Sequence, residues 1–93
     1  MREIRRSTAF RRDYKRESAG RHRRQLDALL SEVLARLSAD VPLPAANQDH
    51  PLTGEWKSYR DCHLKPDLLL IYRKPDPVTL DLVRLGSHSE LFG

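Results

Sequence analysis

The apolar positions of this chain follow two different periods. Leu26, Leu29, Leu30, Val33, Leu34 and Leu37 recur at i, i+3, i+4, i+7, i+8 and i+11. This continuous stripe predicts an amphipathic helix whose leucines face a core. From Glu55 onward the helical period is lost. Trp56 to Leu64 reads as a strand and Pro66-Asp67 as a turn. Leu68 to Arg73 follows as a buried strand without polar alternation, and Thr79 to Leu85 as a last strand after the turn Pro75-Asp76-Pro77.

The segment before the leucine stripe is less regular. Arg2 to Arg6 fits a short first strand. Ser7 is placed to cap a helix that carries Phe10 and Tyr14 as an i,i+4 pair, and Gly20 ends or interrupts that helix. After Leu37, Val41-Pro42-Leu43-Pro44 stops the second helix, because two prolines remove donors and push their predecessors into extended geometry. A loop then runs through Asp49-His50-Pro51 to Gly54. The order β-α-α-β-β-β predicts an α+β fold: an antiparallel meander with two N-terminal helices packed on one face. With 93 residues the chain is expected to form one domain over residues 1–93, too small for a large enclosed substrate cavity.

Composition excludes several classes. The longest apolar run, Leu68 to Tyr72, is far too short to span a membrane. Ile4 is the only strongly apolar residue between Met1 and Phe10, so no signal-peptide core is read there. The single cysteine, Cys62, rules out an internal disulfide framework and a cysteine-based zinc site. A small cytoplasmic protein without a membrane partner is expected. The formal charge of +4 hides an asymmetry: residues 1–24 hold ten basic and three acidic residues, the rest seven basic and ten acidic. Arg11, Arg12, Lys15, Arg16, Arg21, Arg23 and Arg24 dominate the basic block, which suits a polyanion or an acidic partner, or forms a solvated face. His22 sits within this block and reads as exposed and inert.

The candidate chemistry lies in the second half. His50, His63 and His88 each stand beside a turn or a strand end, and none falls on the apolar stripe of a helix. Strand alternation puts Tyr59, Asp61 and His63 on one face and Cys62 on the other, so Cys62 reads as a small buried residue rather than a nucleophile. Asp67, across the Pro66 turn, is expected to fold back near His63. If the histidines converge, imidazoles that titrate near neutrality suit general acid–base work on a phosphodiester, with Asp61 or Asp67 orienting a ring and Arg60 offsetting phosphate charge. A metal site of two histidines and a carboxylate competes with this, but no tight His-x-x-x-His pair supports it. The third possibility is a set of exposed loop histidines and surface aspartates without function. Phe92 either closes the core or offers a ring for a base to stack on, and Trp56 reads as packing.

Several strings carry a more specific signal: Asp49-His50-Pro51-Leu52, then Tyr59-Arg60-Asp61 with His63, Pro66-Asp67, Ile71-Tyr72, and His88 with Leu91-Phe92-Gly93. Together with Leu43-Pro44-Ala45, Gly54, Trp56 and Gly86, this half resembles the YafQ-type toxins of the RelE/ParE superfamily of bacterial type II toxin–antitoxin systems. The resemblance is close over residues 42–93 and looser in the helical half. It implies a RelE-like fold and a ribosome-dependent endoribonuclease that cuts mRNA in the decoding site and stops translation. His50, Asp61, His63, Asp67 and His88 match the active-site positions, and Phe92 the mRNA contact. Cleavage by 2′-OH attack would need no metal and no cofactor. The resemblance further implies a cognate antitoxin, usually a ribbon-helix-helix dimer through which operator DNA is bound, with the ribosome's rRNA as the polyanion for the basic half. Two other functions compete: a ParE-like gyrase poison, a branch that lacks the histidine set, and a non-catalytic nucleic-acid-binding module.

Overall fold

The computed structural model describes residues 1–93. The elements are β1 (Glu3–Arg6), α1 (Thr8–Ser18), α2 (Leu26–Ser38), β2 (His50–Pro51), β3 (Arg60–Lys65), β4 (Leu68–Arg73), β5 (Thr79–Gly86) and α3 (His88–Phe92). They form a five-stranded sheet in the order β1-β5-β4-β3-β2. The meander β3-β4-β5 is antiparallel, and β2 adds to its outer edge in the same sense. β1 closes the other edge by pairing parallel with β5, so the sheet is mixed. No helix is long and apolar enough to cross a membrane.

Local chemistry explains most boundaries. The Ser7 side chain accepts from the Phe10 N–H and caps α1, satisfying one of the donors a helix start leaves open. Residues 54–56 form a short 3-10 turn, so β3 begins at Arg60 rather than at Trp56. Alternation then sorts the side chains. Cys62, Leu64, Leu70, Tyr72, Leu80, Leu82 and Leu85 face α1 and α2, where they meet Phe10, Leu26, Leu30, Val33 and Leu37. Leu69 and Ile71 point the other way and pack against Leu91 of α3, with Leu52, Trp56, Tyr59, Val83 and Phe92 around them. β4 is therefore buried on both faces, the physical reason it shows no polar alternation.

The second face is covered only by α3 and the loop before β3. α3 is a single short helix, and isolated helices of this length are unstable in water. Several contacts hold it in place. Ser87 and Glu90 form a reciprocal capping box. Glu90 also lies 3.2 Å from Arg16 of α1. Arg16 in turn donates to the Leu85 carbonyl at 2.9 Å and pairs with Asp13 at 3.1 Å.

Asp13 is 3% exposed and accepts from Arg84 Nε at 2.7 Å and from the Leu85 N–H at 3.0 Å. Burial works to raise its pKa, but the Arg84 hydrogen bond, the Leu85 N–H and the two guanidinium charges outweigh it and hold the carboxyl below its ordinary range. Asp13→Ala is expected to lower stability by about 2–3 kcal/mol. This is below the roughly 3–5 typical of a fully buried pair, because the Arg84 and Arg16 side chains are 28% and 42% exposed and stay partly solvated. A depressed carboxyl stabilises the fold above its unfolded pKa, about 4, and loses that contribution as pH falls through the lower native value. Urea unfolding at neutral and acid pH is therefore expected to show the difference between wild type and variant shrinking below about pH 4.

Candidate active site

The sheet register gathers the histidines. His50 of β2 pairs with Asp61 of β3. His63 pairs with Leu69 of β4, and Leu69 with Gly86 of β5. Two residues beyond Gly86, His88 opens α3 behind its Ser87 cap. The three rings thus reach one open cleft of about 270 Å³ on the second face, lined by His50, Leu52, Thr53, Trp56, Asp61, His63, Leu69, His88 and Phe92.

Asp61 is the buried member, 3% exposed. Its Oδ1 lies 3.2 Å from His50 Nε2, a contact too far off line to count as an aligned hydrogen bond. Burial pushes the Asp61 carboxyl up, while the charges of His50, His63 and His88 pull in the opposite direction. His50 Nδ1 lies 2.6 Å from the Gln48 carbonyl. A carbonyl only accepts, so Nδ1 carries a hydrogen and Nε2 faces Asp61. The His63 ring is centred 6.5 Å from that of His50, and its buried Nδ1 has no partner within the chain.

The aromatic wall is equally ordered. Phe92 stands one turn after His88, with ring centroids 5.1 Å apart, and meets Trp56 edge-on at 6.1 Å. Trp56 also packs against Tyr59. Phe92 thus does both things expected as alternatives: it packs on the second cluster and lines the cleft. Trp56 packs, as expected, but forms part of the cleft as well.

Three assignments require correction. Asp67 does not fold back on His63. The turn carries it to the α1–α2 connection, where it bonds His22 Nε2 at 2.9 Å and pairs with Arg21, beside the cleft rather than in its lining. His22 is accordingly not exposed and inert; its side chain is 17% exposed. Arg60 does not enter the cleft, because alternation turns it away from Asp61 and His63. It lies 3.3 Å from both Asp49 Oδ1 and the Tyr72 hydroxyl. Within the basic block, Arg16 is taken up by Asp13, Glu17 and Glu90. Arg11, Arg12, Lys15, Arg23 and Arg24 remain exposed and outside the ion pairs of the chain. The sequence reading missed α3 as a helix, although Ser87-x-x-Glu90 followed by Leu91 is its start signal.

This fold and site fall within the class of bacterial toxins of type II toxin–antitoxin systems, whose YafQ family model matches residues 2–93. The chain belongs to the YafQ toxin family. The mRNA interferase toxin YafQ of Escherichia coli K12 is 53% identical over 53 residues, so that the chain spans 56% of this relative's length and 57% of its own. The protein of the same name from strain B / BL21-DE3 is 38% identical over 93 residues, all of this chain and 98% of the relative. A copper-bound mutant toxin from Helicobacter pylori superposes with a TM-score of 0.86 at 38% identity, covering 99% of this chain and 100% of that one. The toxin of the E. coli DinJ–YafQ complex does so with a TM-score of 0.81 at 35% identity, covering 100% of both chains.

Cys62 lies between Asp61 and His63 but on the helix-covered face, with no exposed surface. Burial pushes its thiol pKa strongly up, with the Asp49 and Asp61 charges adding to the effect. Native protein is expected to react with a thiol reagent about 10³-fold or more slowly than protein in strong urea, since thiolate exposure requires unfolding. A stopped absorbance assay of thiol release measures the ratio.

Proposed function

We propose that this chain is an mRNA interferase: a ribosome-dependent endoribonuclease that cuts mRNA by histidine acid–base catalysis. The observation that carries this reading is the convergence of three imidazoles, a buried carboxylate and an aromatic ring in one open cleft. Its relatives in E. coli bear the name mRNA interferase toxin.

In the proposed reaction His88, exposed at the start of α3, takes the proton of a ribose 2′-OH. The 2′-oxygen forms its bond to phosphorus as the P–O5′ bond breaks, and His50 gives its proton to the departing 5′-oxygen. His50 suits this task because its Nδ1 is committed to the Gln48 carbonyl, which leaves Nε2 as the nitrogen that takes up and gives the exchanged proton. The products are a 2′,3′-cyclic phosphate and a 5′-hydroxyl. His63, whose side chain lines the cleft, suits the phosphate oxygens. Phe92 offers its face to a base, a contact worth about 1–3 kcal/mol by alanine substitution in stacking proteins. Asp67 serves from outside the cleft, by holding the α1–α2 connection through His22 and Arg21. No metal enters the steps; the copper-bound H. pylori toxin makes chelation a necessary control.

The same reading gives the chain a cognate antitoxin, since E. coli YafQ crystallises with DinJ, and the resemblance to YafQ-type toxins makes that antitoxin a ribbon-helix-helix dimer. Toxin and antitoxin then act in the cytoplasm, and operator DNA is reached through the antitoxin alone. The exposed cations of α1 and of the α1–α2 connection suit rRNA or an acidic antitoxin segment.

The test is cleavage of one end-labelled mRNA, naked and on translating ribosomes, with and without chelator. In-frame cuts that require ribosomes, end in cyclic phosphate and persist in chelator are expected, with His88→Ala slower by about 10²–10⁴-fold. Equal cutting of naked RNA would remove the ribosome from the account. Loss of cutting in chelator, restored by metal, would replace acid–base catalysis with metal catalysis.

A further inference from the structure

Three consecutive residues before His50 each make a different attachment. The Asn47 side-chain amide donates to the His63 carbonyl at 2.7 Å, tying the segment to β3. Gln48 takes the left-handed conformation, φ 47° and ψ 46°, and shares a positive φ with only one other non-glycine residue, Asp40. That conformation is unfavourable for a residue with a side chain, and here it accompanies the carbonyl that holds His50 Nδ1. Asp49 Oδ1 accepts from the Tyr72 hydroxyl at 2.5 Å. None of these four residues lines the cleft.

Strand alternation explains why the arrangement works. Asp49 and His50 are neighbours in sequence, so their side chains leave opposite faces of the sheet edge. His50 enters the cleft while Asp49 reaches under the edge to Tyr72, which is 1% exposed in the main core. Burial and the Asp49 hydrogen bond keep the Tyr72 proton in place, so the donor persists wherever the protein is folded near neutral pH.

We propose that Asn47, Gln48 and Asp49, anchored by Tyr72, are positioning residues that lock His50 in its Nδ1–H tautomer and aim Nε2 at Asp61 and the cleft. The assignment of a proton-transfer role to that Nε2 rests on the ribonuclease reading; the tautomer lock does not. Free histidine in water favours the opposite tautomer, so the lock has a spectroscopic signature. It also separates the chemical step from substrate binding, since none of the four residues meets RNA in the cleft.

Imidazole ¹⁵N shifts of His50 in wild type, Tyr72→Phe, Asp49→Ala and Asp49→Asn test this, together with single-turnover cleavage on ribosomes. The wild type is expected to show the Nδ1–H tautomer whenever the His50 ring is neutral. Tyr72→Phe and Asp49→Ala are expected to move His50 toward the Nε2–H form and to slow the cleavage step about 10-fold, as misplacement of a proton-transfer group does, at unchanged affinity for the loaded ribosome. Asp49→Asn keeps an oxygen acceptor for Tyr72 and is expected to restore both readouts. Should Tyr72→Phe fail to fold, Asp49→Ala supplies the same test from a side chain at the sheet edge. A wild type in the Nε2–H form, or one whose tautomer and cleavage rate survive Asp49→Ala, overturns the positioning role. So does an Asp49→Asn that behaves like alanine, because the bond to Tyr72 would then not be the cause. A wild type that cuts no RNA but shows the predicted shifts would end the ribonuclease reading and leave the lock standing.

Discussion

The buried carboxylate of Asp13 is the constraint on which the working part of this molecule depends. A carboxylate taken from water must be repaid by hydrogen bonds or it unfolds the chain that holds it. Asp13 meets this demand with the backbone N–H of Leu85 and the guanidinium groups of Arg84 and Arg16. The demand is directional, so α1 has one seating against the end of β5. Arg16 then extends the same constraint outward to the Leu85 carbonyl and to Glu90. α3, too short to hold itself, inherits its place from a residue on the other side of the sheet. His88 is the first residue of α3, and so a carboxylate far from the cleft fixes one of its walls. Gly86 belongs to this joint: a Cβ there would stand 2.7 Å from Arg16 Nη2 and 3.1 Å from Glu90 Oε1, so any side chain would push apart the pair that clamps α3.

The two faces of the sheet divide the labour. The helix-covered face carries the large apolar cluster, and its burial is the main favourable term in folding a chain of this size. The other face buries only three apolar residues, Leu69, Ile71 and Leu91. That imbalance makes room for a cleft, and it also places Asp61 where desolvation is felt. Asp61 has no cation of fixed charge beside it; the groups that oppose its burial are histidines. The carboxyl and the imidazoles are therefore linked by charge as well as in space.

How much of this was legible beforehand depended on whether the signal was local. Ser7, Leu26 to Leu37, Leu68 to Arg73 and Thr79 to Leu85 carry their own periodicity or capping chemistry, and their elements stand where the pattern put them. Asp61, His63 and Cys62 were sorted to the correct faces by alternation alone. The same rule, applied one residue earlier, turns Arg60 away from the cleft; its charge suggested a phosphate contact that its parity denies. Asp67 and His22 are different. They lie 45 positions apart in sequence, and no spacing within either segment brings them together. That contact follows from how the α1–α2 connection crosses the β3–β4 turn. β1 belongs to the same kind: its parallel pairing with β5 is a property of the assembled sheet.

The separation of charge from chemistry follows from this architecture. Arg11, Arg12 and Lys15 are exposed on α1, which packs on the face opposite the cleft. A short single strand seated against Phe92 and the histidines lies across the sheet from them, so these cations add little to its binding at physiological salt, where exposed charges are screened beyond about 8 Å. They act instead on a body large enough to reach both faces or on one that docks to the helices alone. An enzyme that cut free RNA would gain from cations lining its cleft, yet the cleft's own residues are imidazoles, one carboxyl and apolar groups. Arg60, next to Asp61 in sequence, and Arg16, against α3, are engaged by Asp49 and by Asp13, Glu17 and Glu90. A site lined without guanidinium or ammonium groups leaves most of the affinity for a polyanion to surfaces elsewhere. In the proposed reading, the ribosome supplies that affinity through the helix layer, and the cleft is left to discriminate by stacking and proton transfer.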